Sequence, residues 1–110
     1  SGKSIVLNSF CSYRDDFNGG KRFVYDFYKT MDIFRKAIGL FFQGKPARNL
    51  LYDLPKLDDV LDFSQEWDND NVKIKFFKNS NMKLTFKDNL TAENFWQMYG
   101  LGSLKWGYEK

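Results

Sequence analysis

The sequence predicts an α+β fold: a long amphipathic helix and shorter helices packed on one face of a small antiparallel sheet, with a β-hairpin in the C-terminal half. Three observations carry this expectation. In residues 23–42, Val24, Phe27, Met31, Phe34, Ile38 and Phe41 recur at steps of three and four, the spacing of one helical stripe. In residues 72–77 and 82–87, Val72, Ile74 and Phe76, then Met82, Leu84 and Phe86, alternate with mainly basic neighbours. Turn-forming stretches separate these segments: Asn18-Gly19-Gly20, Gln43-Gly44-Lys45-Pro46 and Lys78-Asn79-Ser80-Asn81.

Taken in order, Ser4 to Phe17 reads as a helix, since Val6, Phe10, Tyr13 and Phe17 share helical spacing and Ser4 suits a cap, although Ile5-Val6-Leu7 equally suits a strand end. Asn18-Gly19-Gly20 stops it. The long helix then runs from about Lys21 to Phe42, with Lys21 and Arg22 at the unfavourable end of its dipole. Gly39 is a weak point permitting a bend, Gly44 a left-handed cap and Pro46 a barrier to continuation. Leu50, Leu51 and Leu54 close the core. Pro55 opens a short helix ending near Phe63 or Ser64, with Leu57, Val60 and Leu61 on one face and Asp58 and Asp59 near its N-terminus. Gln65 to Asn71 is a polar loop holding Trp67. The hairpin follows, its apolar face set on the long helix. A final helix runs from Leu90 to about Tyr99, capped by Asp88 or Asn89, with Leu90, Phe95, Met98 and Tyr99 inward and Trp96 partly exposed. Leu104, Trp106 and Tyr108 then alternate in an edge strand or an extended segment.

The 110 residues suffice for one domain spanning 1–110 with one core. Aromatic residues make up 19%, so large buried area is available at this length. The Ser1-Gly2 start reads as a processing remnant and the chain as one domain of a longer protein. No apolar run reaches 18 residues, which argues against a membrane-spanning helix, and the opening lacks the long apolar stretch of a signal peptide. The single Cys11 allows no internal disulfide, which favours a reducing, cytoplasmic setting, and it reads as a small buried hydrophobe.

Charge is arranged in blocks. Residues 21–48 hold seven bases and two acids, residues 53–70 hold seven acids against Lys56, and residues 73–87 hold five lysines and no acid. One reading is three solvated faces that partly neutralise one another. A sharper one is a polyanion footprint: Lys73, Lys75, Lys83 and Lys87 on the wet face of the hairpin neutralise phosphates, Phe77 stacks on an unpaired base, and Arg35 and Lys36 join if the fold brings them near. The alternative partner is a basic protein surface, held by Asp58, Asp59, Asp62, Glu66, Asp68 and Asp70. A third reading is a structural domain of a larger DNA-modifying protein.

Chemistry for catalysis is thin. The chain has no histidine, so Cys11 has no such base beside it, and the clustered acids read as a solvated face. Asp68-Asn69-Asp70-Asn71 opens like a calcium loop, but Lys73 and Asn79 stand where that loop needs glycine and glutamate. Gly2-Lys3-Ser4 lacks the rest of a phosphate loop. Neither a metal nor a cofactor is expected, and the reading leans away from an enzyme.

The segment Lys75-Phe76-Phe77-Lys78-Asn79-Ser80-Asn81-Met82-Lys83-Leu84-Thr85-Phe86 resembles the closing part of an uncharacterised prokaryotic and phage family. Its members resemble partners of, or fusions to, DNA-methyltransferase modules. They show a Phe-Lys-Asn-Gly-Asn turn and then an alternating strand with a histidine. Here Ser80 takes the place of that glycine, and Met82 and Lys83 fall where the histidine would. The resemblance implies a DNA-associated role in bacteria or mobile elements and names no reaction.

Overall fold

The computed structural model describes residues 3–99 and the backbone of 107–109. It is α+β, and the chain divides into two compact units: residues 1–10 with 63–110, and residues 11–62. Among the described residues no helix is long and apolar enough to cross a membrane.

The first unit is a sheet with a helix against it. Strands β1 (Ser4–Leu7), β4 (Glu66–Asp68), β5 (Val72–Phe76) and β6 (Met82–Phe86) lie in the order β4-β5-β6-β1, all antiparallel, and β7 (Gly107–Glu109) adds to the outer side of β1. The late hairpin forms with the expected alternation, and its register sets Ile74 opposite Leu84 and Phe76 opposite Met82. Its apolar face continues into Ile5 and Leu7 on one side and Trp67 on the other, all buried. Trp67 meets Phe76 edge to face at 5.4 Å. Helix α2 (Asn89–Met98) lies against β1 and β6. Asp88 caps it by accepting the Thr91 N–H at 2.7 Å. Its inward stripe is Ala92, Phe95 and half-buried Tyr99, so Phe95 and Tyr99 lie as expected and Leu90 and Met98 do not. Leu90 and Met98 are exposed because they fall off the stripe that Ala92, Phe95 and Tyr99 define: Leu90 stands two residues before Ala92 and Met98 six after it. Of the expected C-terminal alternation, Leu104 and Trp106 lie outside the described residues.

The second unit holds strands β2 (Tyr13–Asp15) and β3 (Lys21–Phe23), helix α1 (Tyr25–Gln43), and a 3₁₀ turn at Asn49–Leu51. Phe27, Met31, Phe34 and Ile38 are buried along α1. Gly44, at φ 77°, donates its N–H to the Leu40 carbonyl at 3.0 Å and ends the helix.

Four sequence expectations are corrected here. Residues 4–17 are not helical: Ile5 and Leu7 point one way and Val6 the other, because β1 is bonded between β6 and β7 and its period is two. The long helix starts at Tyr25, not Lys21. Asn18-Gly19-Gly20 turns a hairpin, with Gly19 at φ 83° and the Asp16 N–H donating to the Gly20 carbonyl, so Lys21 and Arg22 pair with Asp15 and Asp16 at 2.8 and 3.2 Å. No helix follows Pro55. The Asp59 carboxylate accepts the Lys56 N–H, and the Leu61 N–H donates to the Lys21 carbonyl, so backbone groups a helix would use are taken. Glu66–Asp68 is a strand, not a loop, since burying Trp67 beside Phe76 favours pairing with β5.

Gly39 has a different role from a bend. A methyl group there would stand 2.2 Å from the Ala47 carbonyl oxygen, so glycine lets the returning chain run directly over α1.

Candidate nucleic-acid interface

Alternation fixes which side chains share the wet face of the first unit's sheet. On β5 these are Lys73 and Lys75, and on β6 Lys83 and Thr85, each half-buried between fully buried neighbours. Lys75 stands directly opposite Lys83, and Lys73 opposite Thr85. Like charges in cross-strand pairs repel. Lys75 is anchored all the same: its Nζ donates to the Phe63 carbonyl at 2.7 Å and lies 5.5 Å from the Phe77 ring centroid. Phe77, one residue past β5, is half-buried on this lysine face. Lys87 follows β6 and is exposed.

The row ends differently on its two sides. Towards β1, Thr85 meets Ser4, with the two hydroxyl oxygens 3.1 Å apart, and Lys83 meets Val6. Towards β4, Glu66 stands opposite Lys75 and Asp68 opposite Lys73. Two acids of the alternative protein-binding set therefore share the face of the lysines. An open depression of about 580 Å³ lies beside the β4–β5 turn and the end of β6, lined in part by Lys3, Asp68, Asp70, Lys73, Thr85 and Lys87.

Several acids of that set also serve local structure. Asp68 accepts the Asp70 N–H, and Asn69 accepts those of Asn71 and Val72, so the calcium-like string is a tight turn with Asp70 at φ 75°. Asp58 lies 3.7 Å from Arg14, and Asp59 holds Lys56. Asp58, Asp59 and Asp62 belong to the second unit, and Glu66, Asp68 and Asp70 to the first.

Arg35 and Lys36 are also in the second unit. Lys36 pairs with Asp32 at 3.5 Å, one helical turn away. Arg35 is buried at 7% exposure and does not present a surface cation. The sequence signal misplaced it because an arginine in an apolar helix is ordinarily assigned to the solvent side. Cys11 is buried and its thiol is pushed up to about 12 by that burial, opposed by a hydrogen bond with Tyr13. A thiol held protonated in this way is a poor nucleophile.

Missed in the sequence were Glu66 and Asp68 as members of the lysine face. Their signal was the alternation Glu66-Trp67-Asp68, one large apolar residue between two acids, too short to stand out from a loop. Comparison of the chain with known protein families, curated proteins and solved structures yields no match.

Proposed function

We propose that this protein is a non-enzymatic, sequence-nonspecific nucleic-acid-binding module that uses the wet face of the β5–β6 hairpin. The observation that supports it is the register: Lys75 opposite Lys83, with Lys73 one step along and Phe77 beside them on the same face. Lysines in such a row neutralise phosphates without reading bases, and a flanking aromatic ring accepts an unpaired base by stacking. Glu66 and Asp68 make the β4 side of the strip less favourable to a polyanion, so the strand tracks along β5–β6 and away from β4. Lys87 extends the strip past the end of β6. The resemblance of the hairpin to a family associated with DNA-methyltransferase modules favours DNA as the partner, and the single Cys11 favours a reducing, cytoplasmic setting.

The test is fluorescence anisotropy with a labelled single-stranded oligonucleotide at several salt concentrations. With three or four phosphates neutralised, affinity falls roughly 20- to 50-fold between 50 and 200 mM salt. Changing Lys73, Lys75 and Lys83 together to Glu abolishes binding. Because Lys75 also supports the Phe63 carbonyl, the pair Lys73→Gln and Lys87→Gln serves as a milder variant and weakens binding several-fold with an unchanged circular dichroism spectrum. Binding that ignores salt, or survives the triple reversal in folded protein, overturns the reading. Capture of a basic protein that depends on Asp58, Asp59 and Asp62 instead would move the function to the acidic segment.

A further inference from the structure

Among the described residues, the second unit buries a cation with no counter-ion. Arg35 sits on the buried side of α1 with Met31, Phe34 and Ile38. A guanidinium carries five N–H donors. One of them reaches the Leu54 carbonyl, at a long 3.5 Å, and the buried Nε meets no acceptor. The guanidinium carbon lies 5.7 Å from the Tyr28 ring centroid. Among the described residues no carboxylate comes within ion-pair distance of it. Buried charges in folded proteins are paired, and an exception calls for a reason.

The reason is next to it. Arg35 forms part of the wall of an open cavity of about 260 Å³, with Tyr28, Arg48, Asn49, Tyr52 and Lys56. Three cations and no acid line it. Asp32, the carboxylate that meets Arg48, is fully engaged: both its oxygens take Arg48, and Lys36 lies 3.5 Å away. That grip fixes the Arg48 guanidinium in place and holds the Asp32 carboxyl below the usual carboxylate range, with the Arg48 hydrogen bond as the largest cause. It leaves Arg35 uncompensated.

We propose that this cavity binds a small phosphomonoester carried on a single flat ring, with Arg35, Arg48 and Lys56 receiving the phosphate and the two tyrosines the ring. Three cations match a dianionic phosphate better than a singly charged carboxylate. A guanidinium donates to two phosphate oxygens at once, and a phosphate beside Arg35 supplies the negative charge that its burial lacks. Tyr28 and Tyr52 offer rings for stacking. The volume is below the roughly 300–1,000 Å³ of most ligand pockets, so one ring and one phosphate fit and a dinucleotide does not. That chemistry belongs both to a free mononucleotide and to the phosphorylated end of a strand.

The experiment is isothermal titration of the full chain in 50 mM salt with phenyl phosphate, inorganic phosphate, phenol, uridine monophosphate, and short oligonucleotides with and without a 5′-phosphate. Phenyl phosphate is expected to bind about tenfold tighter than inorganic phosphate, and phenol not at all. Arg35→Met loses phenyl phosphate at least 20-fold, and Tyr52→Ala brings it down to the level of inorganic phosphate. If Arg35→Met does not fold, Lys56→Gln on the surface must weaken binding several-fold. A 5′-phosphate preference in the oligonucleotide arm assigns the site to strand ends; binding of uridine monophosphate alone assigns it to free nucleotide. Absence of binding by any phosphomonoester at 10 mM, or unchanged binding in Arg35→Met or Lys56→Gln, overturns the proposal. The hairpin variants Lys73→Gln and Lys87→Gln leave phenyl phosphate binding unchanged, which separates this site from the lysine face.

Discussion

The two compact units handle positive charge in opposite ways. In the first, Lys73, Lys75 and Lys83 stand on the wet face of a ladder whose other face is fully apolar, and water screens them. In the second, Arg35 stands on the buried side of a helix with, among the described residues, one long hydrogen bond and no acid. Exposed cations cost little to keep, act by number, and lose their grip as salt rises. A buried cation costs stability until something with the opposite charge reaches it. The same residue class thus marks two kinds of site, and burial decides which.

The comparison can be pressed hardest where the second unit hides other groups. Cys11 has its thiol raised from an ordinary 9.0 to about 12, first by burial. The folded state holds that proton to higher pH than the unfolded one. The stabilisation is therefore complete below about 9, declines as pH rises past it, and is lost by about 12, a total on the order of 4 kcal/mol. Urea denaturation at stepped alkaline pH measures it, and Cys11→Ala removes this part of the decline. A pH-independent difference between the two proteins would mean the thiol is not shielded.

Next in size is Gly39→Ala. Helix propensity favours alanine by about 1 kcal/mol, but the added methyl meets the Ala47 backbone, not a movable side chain. A net loss of about 2 kcal/mol is expected in a denaturation midpoint. A gain would show that the chain beyond α1 does not rest on it.

The contrast between the cations is sharpened by a pair of identical substitutions. Arg35→Met removes an uncompensated buried charge and raises stability by about 1–2 kcal/mol in ligand-free protein. Lys75→Met removes the bond to Phe63 and lowers it by about 1 kcal/mol. Equal effects in both would erase the distinction. The smallest effect is in the hairpin turn. Ser80 sits at φ 75°, a left-handed conformation that glycine adopts without strain, so Ser80→Gly stabilises by about 0.5–1 kcal/mol in thermal melts.

Much of the first unit was legible because its signals are local. Two-residue alternation placed Val72, Ile74, Phe76, Met82, Leu84 and Phe86 inward and the lysines outward, and the capping aspartate or asparagine before a helical run narrowed the cap to Asp88 or Asn89, of which the structure uses Asp88. The second unit was read less well. Its order near Lys21 and Leu61 rests on backbone bonds between residues far apart in sequence, such as the Leu61 N–H to the Lys21 carbonyl, and on an aspartate side chain standing in for a helical turn. Such contacts leave no periodicity. The candidate site divides in the same way: the lysine face was readable, whereas Glu66 and Asp68 joined it through a pairing three residues long.

By itself the sequence determined the α+β class, the two alternating strands of the hairpin, the glycine-ended helix and the absence of histidine chemistry, because periodicity, turn residues and composition are properties of neighbours in the chain. Only the tertiary structure decided that Ser4–Leu7 is an inner strand, that acids border the lysine row, and that Arg35 is enclosed. Those outcomes depend on which distant segments exclude water from a residue, and solvation, unlike spacing, is not written along the chain.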